Sequence, residues 1–345
     1  MTVREAKTII QQWAYQEAVH LPGFCGAFYH GSVNWLNDSD LLPAASDVDV
    51  IVVLTDPEGY SSGKFIYKEL LLEVSYLTAN EFRTAEQVLG KFYLAGSFRK
   101  HSIIAEKGTH LSTLQQQVAA QYANIEWVRK RCEHARGLAL NYLEPPTAGT
   151  PLHDQITSWL FARGLMVHML LIAGLKNPTV RKRYLEVKLL LEEYHLPEFY
   201  ERLLESTRFA ALSRRDVEGH LDALSAAFDD AAKVISTPYR FAADISSTGK
   251  PVAIGGSYEL IKAGYHREAM FWIVATYCRC QHVLSKDAPA EVRKQHDVGF
   301  MELLEALQIT SLNERNQSNE GARGFIEEVE QIAAIIMAQH PEIQS

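Results

Sequence analysis

Cysteine is scarce in this sequence, and long apolar runs are missing. Its four cysteines, Cys25, Cys132, Cys278 and Cys280, are scattered apart from one Cys-x-Cys pair, so neither a zinc knuckle nor a disulfide framework is indicated. The N-terminal residues mix acidic and polar side chains with apolar ones, unlike a signal peptide. The most apolar stretch, residues 164–175, falls short of the ~20 residues that cross a bilayer. We therefore expect a soluble, cytoplasmic protein with free thiols and no membrane partner.

Positive charge is also in short supply. The chain has 34 Lys and Arg against 42 Asp and Glu, a formal net charge of −8. Proteins that coat a long nucleic-acid backbone draw their affinity from clustered Lys and Arg. Extended nucleic acid is therefore not an expected partner, and a small or cationic substrate fits better. The length of 345 residues and the average hydrophobic fraction of 47% favour two globular domains.

The first third of the chain is organised as short apolar runs between turns. A helix is predicted over residues 3–20. Thr78 and Glu81 have the spacing of a capping box, which predicts a further helix over residues 79–90. Runs rich in Val, Ile and aromatic residues, closed by turn residues, predict strands over residues 24–30, 47–54, 70–77 and 101–106.

From about residue 111, apolar residues recur at a spacing of three to four, which predicts helices for the rest of the chain. The predicted helices cover residues 114–143, 154–173, 179–194, 214–235, 258–284, 290–306 and 320–339, with Ser213 and Asp216 as a capping box. The sequence therefore predicts an α+β chain. A domain with a small mixed sheet and flanking helices covers residues 1–112, and an all-α helical bundle that could bind an acceptor substrate covers residues 113–345.

Three acidic residues are spaced so that they can meet on one face of the predicted sheet. Asp47 and Asp49 are two positions apart on a strand, so both side chains point to the same side. Glu73 on a neighbouring strand can join them, although Glu69 lies nearby and a one-residue slip would change which carboxylate faces the site. Grouped carboxylates repel each other, and hard cations such as Mg²⁺ offset that repulsion. We predict that Asp47, Asp49 and Glu73 are catalytic and bind two Mg²⁺ or Mn²⁺ ions.

Gly31 and Ser32 follow the first predicted strand, at a tight turn and a predicted helix start. Glycine lets the backbone approach a phosphate, and the amides at a helix start attract negative charge. Ser32 adds a hydroxyl donor. Together with Ser46, which precedes Asp47, these residues are predicted to bind the nucleotide. Lys64 lies between the two carboxylate strands but is read more simply as a surface lysine, and it is left out of the site.

As a set, Gly31-Ser32, Asp47-x-Asp49 and the later Glu73 resemble the signature of the nucleotidyltransferase superfamily, which includes DNA polymerase beta and the aminoglycoside and lincosamide nucleotidyltransferases. The resemblance covers about residues 20–110 and implies a polymerase-beta-like fold there. It also implies that Asp47 and Asp49 ligate the metals and that Glu73 completes the site. The co-substrate implied is a nucleoside triphosphate, with ATP the expected one.

The resemblance implies an enzyme that transfers a nucleoside monophosphate, AMP from ATP, to a hydroxyl of a small molecule. Modification of an aminoglycoside-like antibiotic, and hence antibiotic resistance, is the sharpest form of this expectation. Two alternatives stay open: nucleotidylation of a protein or RNA, and a non-catalytic nucleotide-sensing or toxin-antitoxin partner. In the helical half, Glu268 is a candidate for an acceptor-side base, with a buried and paired helix residue as an equally good reading.

Overall fold

The computed structural model describes residues 1–43 and 46–344, and the chain divides into two compact units. Met1–His134 form most of the first unit, and Ala135–Lys176 with Val180–Pro341 form the second. The first unit contains a five-stranded sheet and the second is helical. This confirms the predicted α+β class, with a small mixed sheet followed by helices.

The sheet of the first unit has the strand order β3-β4-β2-β1-β5. Strands β2 and β4 are parallel, and the other neighbouring strands are antiparallel. The limits of β1 agree with the sequence pattern, whereas β3 was not predicted. The strands are β1 (Phe24–His30), β2 (Val48–Leu54), β3 (Gly63–Tyr67), β4 (Leu70–Thr78) and β5 (Ile103–Glu106).

Both faces of this sheet are covered, which fixes the direction of each side chain along β2. Val50 and Val52 lie in one core with residues of helix α1 (Val3–Gln16). Ile51 and Val53 lie in the opposite core, with Phe82. Because side chains alternate along a strand, Asp49 belongs to the Ile51 face, at the beginning of β2.

The capping box predicted at Thr78 and Glu81 is wrong. Thr78 accepts a hydrogen bond from the backbone of Asn80 instead, and only a 3₁₀ turn follows. Glu81 pairs with Lys91, with 2.9 Å between Oε2 and Nζ, so its carboxylate does not return to the chain at Thr78. Two short helices replace the predicted one: α2 (Ala85–Leu89), capped by Thr84, and α3 (Phe92–Ala95).

The first unit continues past the predicted domain limit at residue 112. Helix α4 (His110–Gln121) packs Leu114 and Val118 into the core that contains Phe82. The predicted helix over residues 114–143 is interrupted before α5 (Ile125–Tyr142), where the Asn124 side chain accepts from the Glu126 amide and starts a new helix. The domain limit itself stays a prediction.

The second unit consists of helices. It contains α6 (Leu152–Ala173), α7 (Arg183–Glu193), α8 (Pro197–Ser206), α9 (Arg214–Val234), α10 (Gly256–Lys262), α11 (His266–Asp287), α12 (Ala290–Ala306) and α13 (Leu312–Gln339). The capping box of Ser213 and Asp216 is confirmed. The predicted helix over residues 258–284 is divided at Gly264, whose φ of +93° does not fit a right-handed helix.

Helix α6 is the central helix of the second unit. It is 22 residues long and apolar enough to meet the length and composition of a membrane span, but 83% of its most apolar window is buried within the protein. Arg163 of α6 is fully buried, and its guanidinium donates to the carbonyl of Ser206 in α8 and to Ser318 in α13. These contacts are those of a core helix among protein neighbours, not of a helix in lipid.

Candidate functional site

Three carboxylates converge at the start of β2. Asp47 immediately precedes the strand and Asp49 is its second residue, while Glu73 lies beside Asp49 on the parallel strand β4. One oxygen from each of the three lies within 4.8 Å of the others, and all three residues are partly buried. Glu69, the alternative in the sequence, is exposed in the turn between β3 and β4 with a φ of +66°.

Lys64 is a fourth member of this cluster, and the sequence reasoning left it out. On β3 it is the cross-strand partner of Glu73. Its Nζ lies 2.5 Å from Asp47 Oδ2 and 3.0 Å from Glu73 Oε2, and its side chain is only 6% exposed. A buried ammonium at these distances is a counter-ion of both carboxylates.

A sequence signal for Lys64 was present but weak. Phe65, Ile66 and Tyr67 have high β propensity, and two residues separate them from the apolar start of β4. Such an arrangement is typical of a hairpin, in which Lys64 would face Glu73. The intervening residues Lys68 and Glu69 both have positive φ, as a two-residue hairpin turn requires.

The pKa values of the two aspartates of the cluster are shifted in opposite directions. Burial, together with the charges of Asp47 and Glu73, raises the pKa of Asp49 well above its ordinary range. Burial also acts to raise the pKa of Asp47, but the charge and hydrogen bond of Lys64 outweigh it and hold that pKa below its ordinary range. With one ammonium for three acids, the cluster favours uptake of a proton or of a further cation.

Gly31 is held against the carboxylate of Asp49. Its φ is +61°, and a Cβ at this position would lie 2.0 Å from Asp49 Oδ2. Both the backbone conformation and the close contact therefore require glycine. Ser32 follows in a single 3₁₀ turn, Gly31–Asn34, and not at the start of the longer helix that was predicted. The amides of one turn carry less of the aligned dipole that the prediction invoked.

His30 and Ser46 flank the cluster. His30 is the cross-strand partner of Asp49, its Nδ1 lies 2.7 Å from Ser97 Oγ, and burial lowers its pKa to about 4. The imidazole is therefore neutral near pH 7 and adds no cation to the cluster. The Ser46 hydroxyl donates to the Asp47 carbonyl at 3.1 Å, and its predicted contact with nucleotide stays a prediction.

Glu268, the candidate acceptor-side base, belongs to the second unit. It is 3% exposed, and its carboxylate accepts a hydrogen bond from the Tyr200 hydroxyl at 2.7 Å. This is the buried and paired environment that the sequence left open as the alternative reading.

The donor set of the cluster suits a hard divalent cation. Asp47, Asp49 and Glu73 offer only carboxylate oxygens, which are the ligands that Mg²⁺ and Mn²⁺ prefer. Burial and the charges of Asp47 and Glu73 raise the pKa of Asp49, and a bound cation would relieve the same repulsion. The residues present therefore fit a divalent metal site.

No protein-family model matches the chain, and no curated protein matches its sequence. Among solved structures, the chain is similar to a nucleotidyltransferase-like protein from Exiguobacterium sibiricum 255-15. The two share 11% identity with a TM-score of 0.31, over 94% of this chain and 91% of that chain. A likeness at this level assigns neither a family nor a function to the chain, and both are inferred below from the site.

Proposed function

We propose that this protein is a metal-dependent nucleotidyltransferase that moves a nucleoside monophosphate, AMP from ATP, to a hydroxyl group of a small molecule. The observation that supports it most directly is the meeting of Asp47, Asp49 and Glu73 within 4.8 Å, beside a glycine held in the left-handed region. A cytoplasmic location, where ATP and Mg²⁺ are abundant, is part of the same proposal.

In this proposal the three carboxylates hold two divalent cations, Mg²⁺ or Mn²⁺. Bound there, the cations would neutralise the charge of the phosphates and assist both the attacking and the leaving oxygen. Gly31 gives the Asp49 carboxylate the space that a side chain would fill. The Ser32 and Ser46 hydroxyls would donate to the triphosphate, and Ser46 would give up its hydrogen bond to the Asp47 carbonyl to do so. Lys64 keeps Asp47 ionised and holds both Asp47 and Glu73 in place, because its ammonium contacts both carboxylates.

The reaction is an in-line displacement at the alpha phosphorus. The acceptor hydroxyl oxygen forms a bond to that phosphorus, the bond from phosphorus to the bridging oxygen breaks, and pyrophosphate leaves. The hydroxyl proton passes to a carboxylate of the cluster. Glu73 suits this role better than Asp47, because its side chain is 30% exposed, against 17% for Asp47.

The proposed acceptor is a small hydroxyl-bearing molecule, and an aminoglycoside-like antibiotic is its sharpest form. A chain with a net charge of −8 is compatible with a polycationic acceptor and disfavours an extended nucleic acid. Transfer to a protein, and nucleotide sensing without transfer, are the competing functions.

The test is pyrophosphate release from ATP and Mg²⁺ with a panel of aminoglycosides and lincosamides. Wild type is compared with Asp49→Asn and with the matched control Asp56→Asn, whose carboxylate lies in the exposed turn after β2. We expect release by wild type and the control, and loss of at least 100-fold in Asp49→Asn. If the protein binds nucleotide but releases no pyrophosphate with any acceptor, and no mass adduct forms on lysate proteins, nucleotide sensing would be favoured. No nucleotide binding at all would refute the proposal.

A further inference from the structure

The second unit contains a group of potential metal ligands that plays no part in the proposed reaction. His153 and Asp154 lie in the first turn of α6, and His282 lies on α11. One donor atom from each of these three residues lies within 4.8 Å of the others. Two imidazoles and a carboxylate differ chemically from the all-oxygen cluster of the first unit.

The His153 ring points a polar atom at this group without a partner. His153 is 7% exposed, and its Nε2 is buried with no hydrogen bond. The Asp154 carboxylate lies close by, but its Oδ1 is 3.7 Å from Nε2, too far for a hydrogen bond. Buried nitrogens are rarely left unsatisfied, because the lost hydrogen bond costs stability.

The same spacing suits two ligands of one metal ion. Ligands about 2.1 Å from a tetrahedral Zn²⁺ lie roughly 3.4 Å apart, close to the 3.7 Å between His153 Nε2 and Asp154 Oδ1. His282 completes a set of three protein ligands. Such a set leaves a fourth position for water.

The two rings are held in place by aromatic contacts. His282 stacks on Tyr239, with centroids 4.2 Å apart and an angle of 16° between the planes. The His153 ring meets His282 edge-on, at 5.2 Å and 80°. Ligand rings that are already oriented lose less entropy when they bind a metal.

Charged residues of both signs act on the two histidines of the group. Lys286 acts on both histidines and opposes a cation. Asp154 and Asp287 act in the opposite direction. Asp154, itself one of the three potential ligands, supplies a carboxylate charge that would offset the charge of a bound cation.

We propose that His153, Asp154 and His282 form a binding site for Zn²⁺ or a similar transition-metal ion, which joins the first turn of α6 to α11. Imidazole ligands select such ions over Mg²⁺. The site is independent of nucleotide transfer, and it can exist whether or not the chain is a nucleotidyltransferase.

The experiment measures metal binding by full-length, tag-free protein that has been stripped with a chelator. All variants are made in an Asp49→Asn background, which weakens metal binding by the carboxylate cluster of the first unit. Metal bound at the new site can then be distinguished from metal bound at that cluster. ZnCl₂ affinity is measured by competition with a chromophoric chelator, and CoCl₂ is added to record the visible absorption of a tetrahedral site. In this background we compare His153→Ala, His282→Ala and the control His266→Ala, which alters a histidine in the first turn of the same helix.

We expect one equivalent of Zn²⁺ in the background protein and in the His266→Ala control. Affinity should fall at least tenfold in both His153→Ala and His282→Ala, with loss of the cobalt band. Asp154 is exposed, so Asp154→Asn provides a variant that keeps the fold if a histidine variant unfolds. Unchanged affinity in His282→Ala and Asp154→Asn, or the absence of any stoichiometric Zn²⁺ binding, overturns the proposal.

Discussion

Replacing Lys64 with methionine tests the electrostatics of the carboxylate cluster. The substitution keeps the length of the side chain and removes its charge. Asp47 and Glu73 then lose an ammonium that lies 2.5 and 3.0 Å from their oxygens. At an effective dielectric constant of about 20, each contact corresponds to roughly 5–7 kcal/mol of Coulomb energy.

Most of that energy is not lost, because two processes offset it. The ammonium no longer has to be desolvated, and a freed carboxylate takes up a proton. We therefore expect the metal-free protein to lose about 3 kcal/mol of unfolding free energy. For a cooperative unit of this size that corresponds to a fall in Tm of roughly 10 °C.

A divalent cation should reverse this loss, because it neutralises the same carboxylates. Melting curves are recorded for wild type, Lys64→Met and the control Lys68→Met, with and without MnCl₂. Lys68 lies in the turn after β3, and its Nζ contacts Gln12 Oε1. We expect MnCl₂ to raise the Tm of Lys64→Met more than that of the other two proteins. An equal rise in Tm in all three proteins would refute the view that the Lys64 ammonium neutralises the carboxylates that bind the cation.

Three further predictions concern the same cluster. Asp49→Asn should stabilise the metal-free fold by about 1 kcal/mol in melting experiments, because it removes a buried acid that is repelled by Asp47 and Glu73; destabilisation would contradict this. Gly31→Ala should cost more than about 2 kcal/mol and weaken Mn²⁺ binding, whereas Gly59→Ala, also at positive φ but with nothing within 4 Å, should cost only about 1 kcal/mol. The raised pKa of Asp49 means that its protonated form favours the metal-free fold. That stability is present at low pH and is lost as pH rises through the raised pKa. Over the same range, Mn²⁺ affinity rises by up to tenfold per pH unit until Asp49 is ionised. Mn²⁺ titrations from roughly pH 5 to 8 measure this change, and an affinity that does not vary with pH would contradict the prediction.

Local patterns were enough to predict much of the fold. The apolar run of β1 and its Gly31 stop define Phe24–His30, and helix α12 has the predicted limits. The alternation of Val48 and Val50 with the aspartates identifies the side of β2 that shares a core with helix α1. In each case the signal lies within the element itself, where side-chain direction follows from backbone geometry alone.

The unpredicted parts depend on contacts with a different element of the chain. Strand β3 lies at the edge of the sheet, and its residues are partly buried or exposed with no apolar alternation, so its hairpin signal is weak. The position of Lys64 depends on its pairing with Glu73 across the hairpin. Similarly, the capping box at Thr78 failed because Glu81 pairs with Lys91, ten residues away.

The short hairpin between β3 and β4 makes the cluster sensitive to chain length. Lys64 reaches the carboxylates because five residue pairs are in register up to the Lys68-Glu69 turn. Inserting or deleting one residue there would exchange the two faces of β3 and turn the ammonium away from Glu73. Related chains that keep the cluster should therefore tolerate substitutions in this turn far better than changes in its length.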